Sequence, residues 1–142
     1  MYKKILVALE NSHADNALLP HIAKLAGAFN SELLLVHVAD GWAARNYTRL
    51  QLVESEEMVQ DRQYLEEKAA ELRKSGLVVS TLLALGEPST EILKTAKHEH
   101  CDLIAMTSHG HRFLADLFLG STIHEVRHKS TIPVLLVRAS HK

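Results

Sequence analysis

The chain has 142 residues, 46% of them hydrophobic and 23% charged, with a formal net charge of −1 when histidine is counted as neutral. That describes one ordinary globular domain with enough apolar residues for a core, and it offers no basic field for nucleic acid. The apolar run of the opening MYKKILVALE is far too short for a secretory core or a spanning helix, and the single Cys101 excludes an intramolecular disulfide and suits a reducing compartment. The expectation is a cytoplasmic protein with one domain over residues 1–142, and neither nucleic acid nor membrane as a partner.

Ile5 to Leu9 (ILVAL) is a continuous apolar run, as expected of a strand buried on both faces of a parallel sheet. Glu10-Asn11-Ser12 is a turn signal, and Ser12 with Asp15 three residues on resembles a capping box. Ala17, Leu18, Ile22, Leu25, Ala26 and Phe29 then recur at helical spacing, with Pro20 inside the helix and expected to kink it. Glu32 to Ala39 (ELLLVHVA) predicts a second buried strand. Asp40 to roughly Leu50 is a polar connection carrying Trp42 and Tyr47, which are expected to pack, the alternative being a lid over the ligand site.

Glu54 to Ser75 is helical in composition, with Met58, Leu65, Ala69 and Leu72 on one side, and Gly76 stops it. Leu77 to Leu85 predicts the third strand, and Gly86-Glu87-Pro88-Ser89 starts a helix bearing Ile92, Leu93 and Ala96. Asp102 to Met106 predicts the fourth strand, Ser121 to His128 a short helix, and Ile132 to Val137 the fifth strand, with Pro133 near its start or at an edge.

The alternation predicts an α/β fold: an open five-stranded parallel sheet with helices on both faces, Rossmann-like. With strand order 3-2-1-4-5, the switch point lies between strands one and four, and ligands of such sheets bind beyond the carboxyl ends there. Two segments leave those ends, Glu10-Asn11-Ser12 and the stretch TSHGHRFLADLFLGST from Thr107 to Thr122. Gly120 and Ser121 open a helix, where free N–H groups and the helix dipole attract anions. Gly110 allows close backbone approach, and His109, His111 and Arg112 can add positive charge.

Histidines number ten. His124 and His128 are four apart and share a helix face, but two ligands fall short of the four of a structural zinc site, so no metal is expected. Cys101 stands before a strand start, away from the expected site, and reads as a buried inert thiol.

Four segments together resemble the universal stress protein family: KKILVALENS, LLLVHV, GEPSTEIL and DLIAMTSHG…LGST. The resemblance covers nearly the whole chain and implies an adenine nucleotide alpha hydrolase-like fold. Members that bind ATP carry Gly-x2-Gly-x9-Gly-Ser/Thr after strand four. Here the second and third glycines fall on Gly110 and Gly120 and the hydroxyl on Ser121, while Thr107 replaces the first glycine. The family's Asp-Gly-Ser after strand one is here Glu10-Asn11-Ser12.

The resemblance implies an ATP- or AMP-binding regulatory module of the stress response, with weak ATP hydrolysis at most. It implies a nucleotide site built from Ala8, Leu9, Glu10, Ser12, Val38, Ala39, Thr107, His109, Gly110, His111, Arg112, Gly120, Ser121 and Thr122, with Mg2+ bridging the phosphates. It also implies a homodimer through the last strand, Ile132 to Arg138. Some relatives bind no nucleotide and act through dimerisation and protein contacts, and others hydrolyse ATP slowly. Thr107 and Glu10 are the residues that favour the nucleotide-free alternative.

Overall fold

A computed structural model describes residues 1–39, 56–108 and 120–139. They form β1 (Lys4–Ala8), α1 (Asp15–Phe29), β2 (Glu32–Ala39), α2 (Glu56–Arg73), β3 (Val79–Leu85), α3 (Pro88–His98), β4 (Leu103–Ser108), α4 (Gly120–Lys129) and β5 (Val134–Arg138). The strands make one sheet in the order β3-β2-β1-β4-β5, and every neighbouring pair is parallel.

β1 takes the centre because its residues are apolar on both faces. Ile5, Val7 and Leu9 join the core under α1 and α2, whereas Leu6 and Ala8 join the core under α3 and α4. Ile5, Leu6, Val7 and Leu9 are fully buried, each worth about 2 kcal/mol relative to exposure. Ile5 lies opposite Leu33 of β2 on one side and Leu103 of β4 on the other. At the lower end, Asp102 accepts from the Lys3 and Lys4 backbone N–H groups at 2.8 and 3.1 Å, tying the entry of β4 to that of β1.

α1 runs unbroken from Asp15 to Phe29 with Pro20 inside it. Pro20 is exposed, so its ring meets solvent and the apolar stripe Leu18, Leu19, Ile22 and Ala26 stays on the sheet. The helix ends at Asn30, whose left-handed backbone (φ 58°) lets its N–H reach the Ala26 carbonyl. β3 begins at Val79, two residues later than the apolar run suggests, because Gly76 closes α2 first through its N–H on the Arg73 carbonyl.

α3 opens on a compact cap. Glu87 accepts from the backbone N–H groups of Ser89 and Thr90 and from both their hydroxyls. Those hydrogen bonds, led by the Thr90 hydroxyl, hold the Glu87 carboxyl down to about 2. Gly86 before it has φ 141°, and a Cβ there would come within 3.1 Å of the Glu91 carboxylate, so the turn requires glycine.

Candidate functional site

β1 and β4 are adjacent in the sheet, while their following helices lie on opposite faces, which makes their carboxyl ends the switch point. β4 continues through Thr107 to Ser108. Thr107 is therefore an extended strand residue, fully buried, at the place where the family motif has a glycine. Its hydroxyl donates to Glu10 Oε2 across the β1–β4 seam. Glu10 is only 4% exposed, so its carboxylate is an interior group engaged with β4 rather than a solvated one.

The turn after β1 is held from inside. Asp15, at the start of α1, is completely buried. Its Oδ1 accepts from the Glu10 N–H and its Oδ2 from the Asn11 N–H, both at 2.9 Å. Tyr64 of α2 donates its hydroxyl to the same Oδ2 at 2.6 Å. Burial, followed by that hydrogen bond and the Asp15 charge, pushes the Tyr64 phenol far above its ordinary value. The expected Ser12–Asp15 capping box is accordingly corrected. Asp15 turns back past Ser12 to the two preceding amides, and Ser12 Oγ accepts from the Ala14 N–H at 3.2 Å.

Asn11 sits at φ 60°, a left-handed backbone that asparagine tolerates. Its amide donates to Asp61 Oδ1 of α2 at 2.7 Å. His37 of β2 completes the group. Its Nδ1 lies 2.9 Å from the Leu9 carbonyl, which only accepts, so Nδ1 carries the hydrogen. Its Nε2 faces Asp61 Oδ1 at 3.6 Å. Buried carboxylates are costly unless hydrogen-bonded; Asp15 accepts three hydrogen bonds here, and Asp61 accepts one from Asn11 beside the His37 ring.

The other residues expected from sequence take the following places. Ala8 ends β1 opposite Val36 of β2, and the Leu9 N–H bonds the Val36 carbonyl at 2.8 Å. Val38 and Ala39 lie further along β2 at its carboxyl end, both buried. Ser12 is half-buried beside Asn11. Gly120, Ser121 and Thr122 form the first turn of α4, with Ser121 exposed and Thr122 buried. That first turn contains no acidic residue, while Arg127, His128 and Lys129 occupy the last. His109, Gly110, His111 and Arg112, together with Trp42 and Tyr47, lie outside the described residues.

Sequence reasoning missed Asp15, His37, Asp61 and Tyr64 as members of this site. The signal was present: Asp61 falls in the buried stripe Met58, Asp61, Leu65, Ala69 and Leu72, and Asp15 in the stripe with Leu18, Leu19 and Ile22. A carboxylate at a core position demands a buried partner. Cys101 is buried as expected, and burial pushes its thiol up to about 11. Among the described residues, no helix is long and apolar enough to cross a membrane.

Fold and site together define a doubly wound α/β domain whose buried polar groups gather at the switch point of its sheet. A model of the Universal stress protein family matches residues 1–138. Universal stress protein YxiE of Bacillus subtilis is 32% identical over 97% of this chain and its own full length. Universal stress protein MJ0577 of Methanocaldococcus jannaschii is 30% identical over 97% of this chain and 96% of its own. The solved structure of MJ0577 superposes with a TM-score of 0.82, covering 100% of this chain and 99% of that one. The universal stress protein of Archaeoglobus fulgidus, solved in complex with dAMP, shares the fold at 22% identity, with a TM-score of 0.71 over 96% of this chain and 98% of its own. The chain belongs to the universal stress protein family.

Proposed function

We propose that this protein binds an adenine nucleotide, ATP or AMP, at the switch point and serves as a regulatory module rather than a metabolic enzyme. The observation that carries the reading is the start of α4. Its first turn holds Gly120 and exposed Ser121 with no carboxylate to neutralise the positive end of the helix dipole.

Electrostatics give the ligand a direction. At the end of β1 the Glu10 and Asn11 N–H groups are already given to Asp15, and Glu10 adds a second carboxylate. That side repels phosphate and suits hydroxyl and amine donors, so ribose belongs near Glu10 and Ser12, with adenine beside Val38 and Ala39. Phosphates belong at Gly120, Ser121 and Thr122, together with His109, Gly110, His111 and Arg112. Mg2+ arriving with ATP would find a hard oxygen donor in Ser121. Kinship with a family in which one fold relative was solved with dAMP and another with cAMP supports the adenine assignment.

One observation favours the alternative, a nucleotide-free protein acting through protein contacts: the Glu10 carboxylate is turned into the β1–β4 seam toward Thr107. Calorimetry of nucleotide-stripped protein with Mg-ATP and with AMP, beside a Gly120→Val variant, separates the two. Binding that is lost in the variant supports the first reading. Absence of heat from the folded, stripped protein supports the second.

Dimerisation through the last strand belongs to the same proposal. β5 is an edge strand, and Val134, Leu135, Leu136 and Val137 are only half-buried there. Pairing with a second copy would cover that apolar edge. A monomer in sedimentation at micromolar concentration would end the idea.

A further inference from the structure

α4 spans Gly120–Lys129, and five consecutive residues in it read His124-Glu125-Val126-Arg127-His128. This is the order His-Glu-x-x-His, which counting ligands alone passes over. On a helix it sets two imidazoles one turn apart on the same face. Here the two rings are already gathered: their centroids lie 4.8 Å apart, with planes inclined by 24°. Both histidines are exposed, whereas Val126 between them is fully buried and fixes the helix face that meets the core.

We propose that His124 and His128 form a binding site for a first-row transition-metal dication, Cu2+ most tightly, then Ni2+ and Zn2+. Neutral imidazole nitrogens suit these ions and not Mg2+ or Ca2+, and the affinity order follows the general one for nitrogen sites. Two nitrogens each about 2.1 Å from one metal stand roughly 3 Å apart, a span that side chains one helical turn apart reach once the two stacked rings turn their in-plane lone pairs toward a common point. His128 lies in the last turn of α4, where the negative end of the helix dipole favours a cation.

Glu125 is not a ligand, because it is paired with Lys129 at 2.7 Å. Nor do the described residues supply a third histidine, cysteine or carboxylate. Solvent therefore fills the remaining positions, which gives an exchangeable surface site and no hydrolytic centre. Arg127 adjoins the pair and opposes a dication, so affinity stays modest. His124 sits about 6 Å along the helix axis from Gly120, which makes this ion distinct from one carried in by a nucleotide.

The test needs no nucleotide. Full-length protein is titrated by calorimetry with CuCl2, NiCl2, ZnCl2 and MgCl2, alongside His124→Ala, His128→Ala and the double variant. Amide signals are followed by NMR as Ni2+ or Cu2+ is added. The expected results are one ion per chain in the order Cu2+ over Ni2+ and Zn2+, no Mg2+ heat, and more than about tenfold weaker binding with either histidine gone, since the second nitrogen binds intramolecularly. Paramagnetic broadening should centre on residues 124–128. Binding unchanged in the double variant, or broadening centred on other histidines, overturns the proposal; so does Mg2+ binding equal to Zn2+. Both histidines are exposed, so the variants keep the fold, and thermal melting confirms it.

Discussion

The Thr107 hydroxyl donates to the carboxylate of Glu10, joining β4 to the end of β1 across 97 positions of sequence. Both residues stand where the family motif carries something else. Each departure answers the other: the longer acid reaches across the seam, and the threonine supplies the hydroxyl that meets it.

Thr107→Val keeps the shape and removes the donor. The loss should be about 2 kcal/mol, as for a buried hydrogen bond to a charged acceptor, read from urea unfolding. Combined with Glu10→Gln in a double-mutant cycle, the two changes should couple by about 1 kcal/mol. Strict additivity would mean that the bond contributes nothing to stability.

Asp15 is the keystone of the turn, so Asp15→Ala, which leaves two backbone amides and the Tyr64 hydroxyl without their acceptor, should cost about 3 kcal/mol. Tyr64→Phe should cost about half that. The raised Tyr64 phenol also has a pH signature. Its proton is held more tightly in the folded state, so its contribution is full below about pH 10, where an unfolded tyrosine ionises, and fades as pH rises further. Wild-type stability should therefore fall more steeply on the alkaline side than that of Tyr64→Phe; parallel curves would refute the coupling.

Glu87 acts at the opposite end of the pH scale. Its carboxyl is held down to about 2 against an ordinary 4.5, so its contribution is complete above pH 4.5 and is lost as pH falls towards 2. Glu87 is exposed, and solvent screening keeps the effect to at most about 1 kcal/mol. Comparing wild type with Glu87→Ala in guanidinium at pH 7 and pH 2 should show a gap at the first and near coincidence at the second.

Cys101, with its thiol pushed up to about 11 from 9.0, should alkylate at about one hundredth the rate of a free thiol at pH 8 in the folded state. Urea should restore ordinary reactivity. Rapid labelling by iodoacetamide without denaturant would show a thiol open to solvent.

The five strands and the parallel class of the sheet were legible because buried parallel strands leave continuous apolar runs such as ILVAL and ELLLVHVA, and because helices between them have a different period; the order in which the strands pair is written in no single run. The start of α4 was legible from Gly120-Ser121 alone. The buried network was not. Asp15 looked like a partner for Ser12 because capping rules are local, whereas its real partners include Tyr64, 49 residues away. Asn11 reads locally as a turn former, yet its side chain is spent on Asp61 of α2. Tertiary hydrogen bonds of this kind leave only an indirect trace, a charge inside an apolar stripe.

The central position of β1 has a consequence for synthesis. Of these five strands β1 leaves the ribosome before the others; it finds one neighbour soon, when β2 follows it, and must wait for the other until α2, β3, α3 and the start of β4 have also emerged. Until then the side of β1 that will pair with Leu103, Ile104 and Ala105 is an open apolar edge. The nascent chain thus carries a sticky half-sheet until residues 103–108 are made, and completion of the fold is set by the arrival of β4 rather than by any local helix.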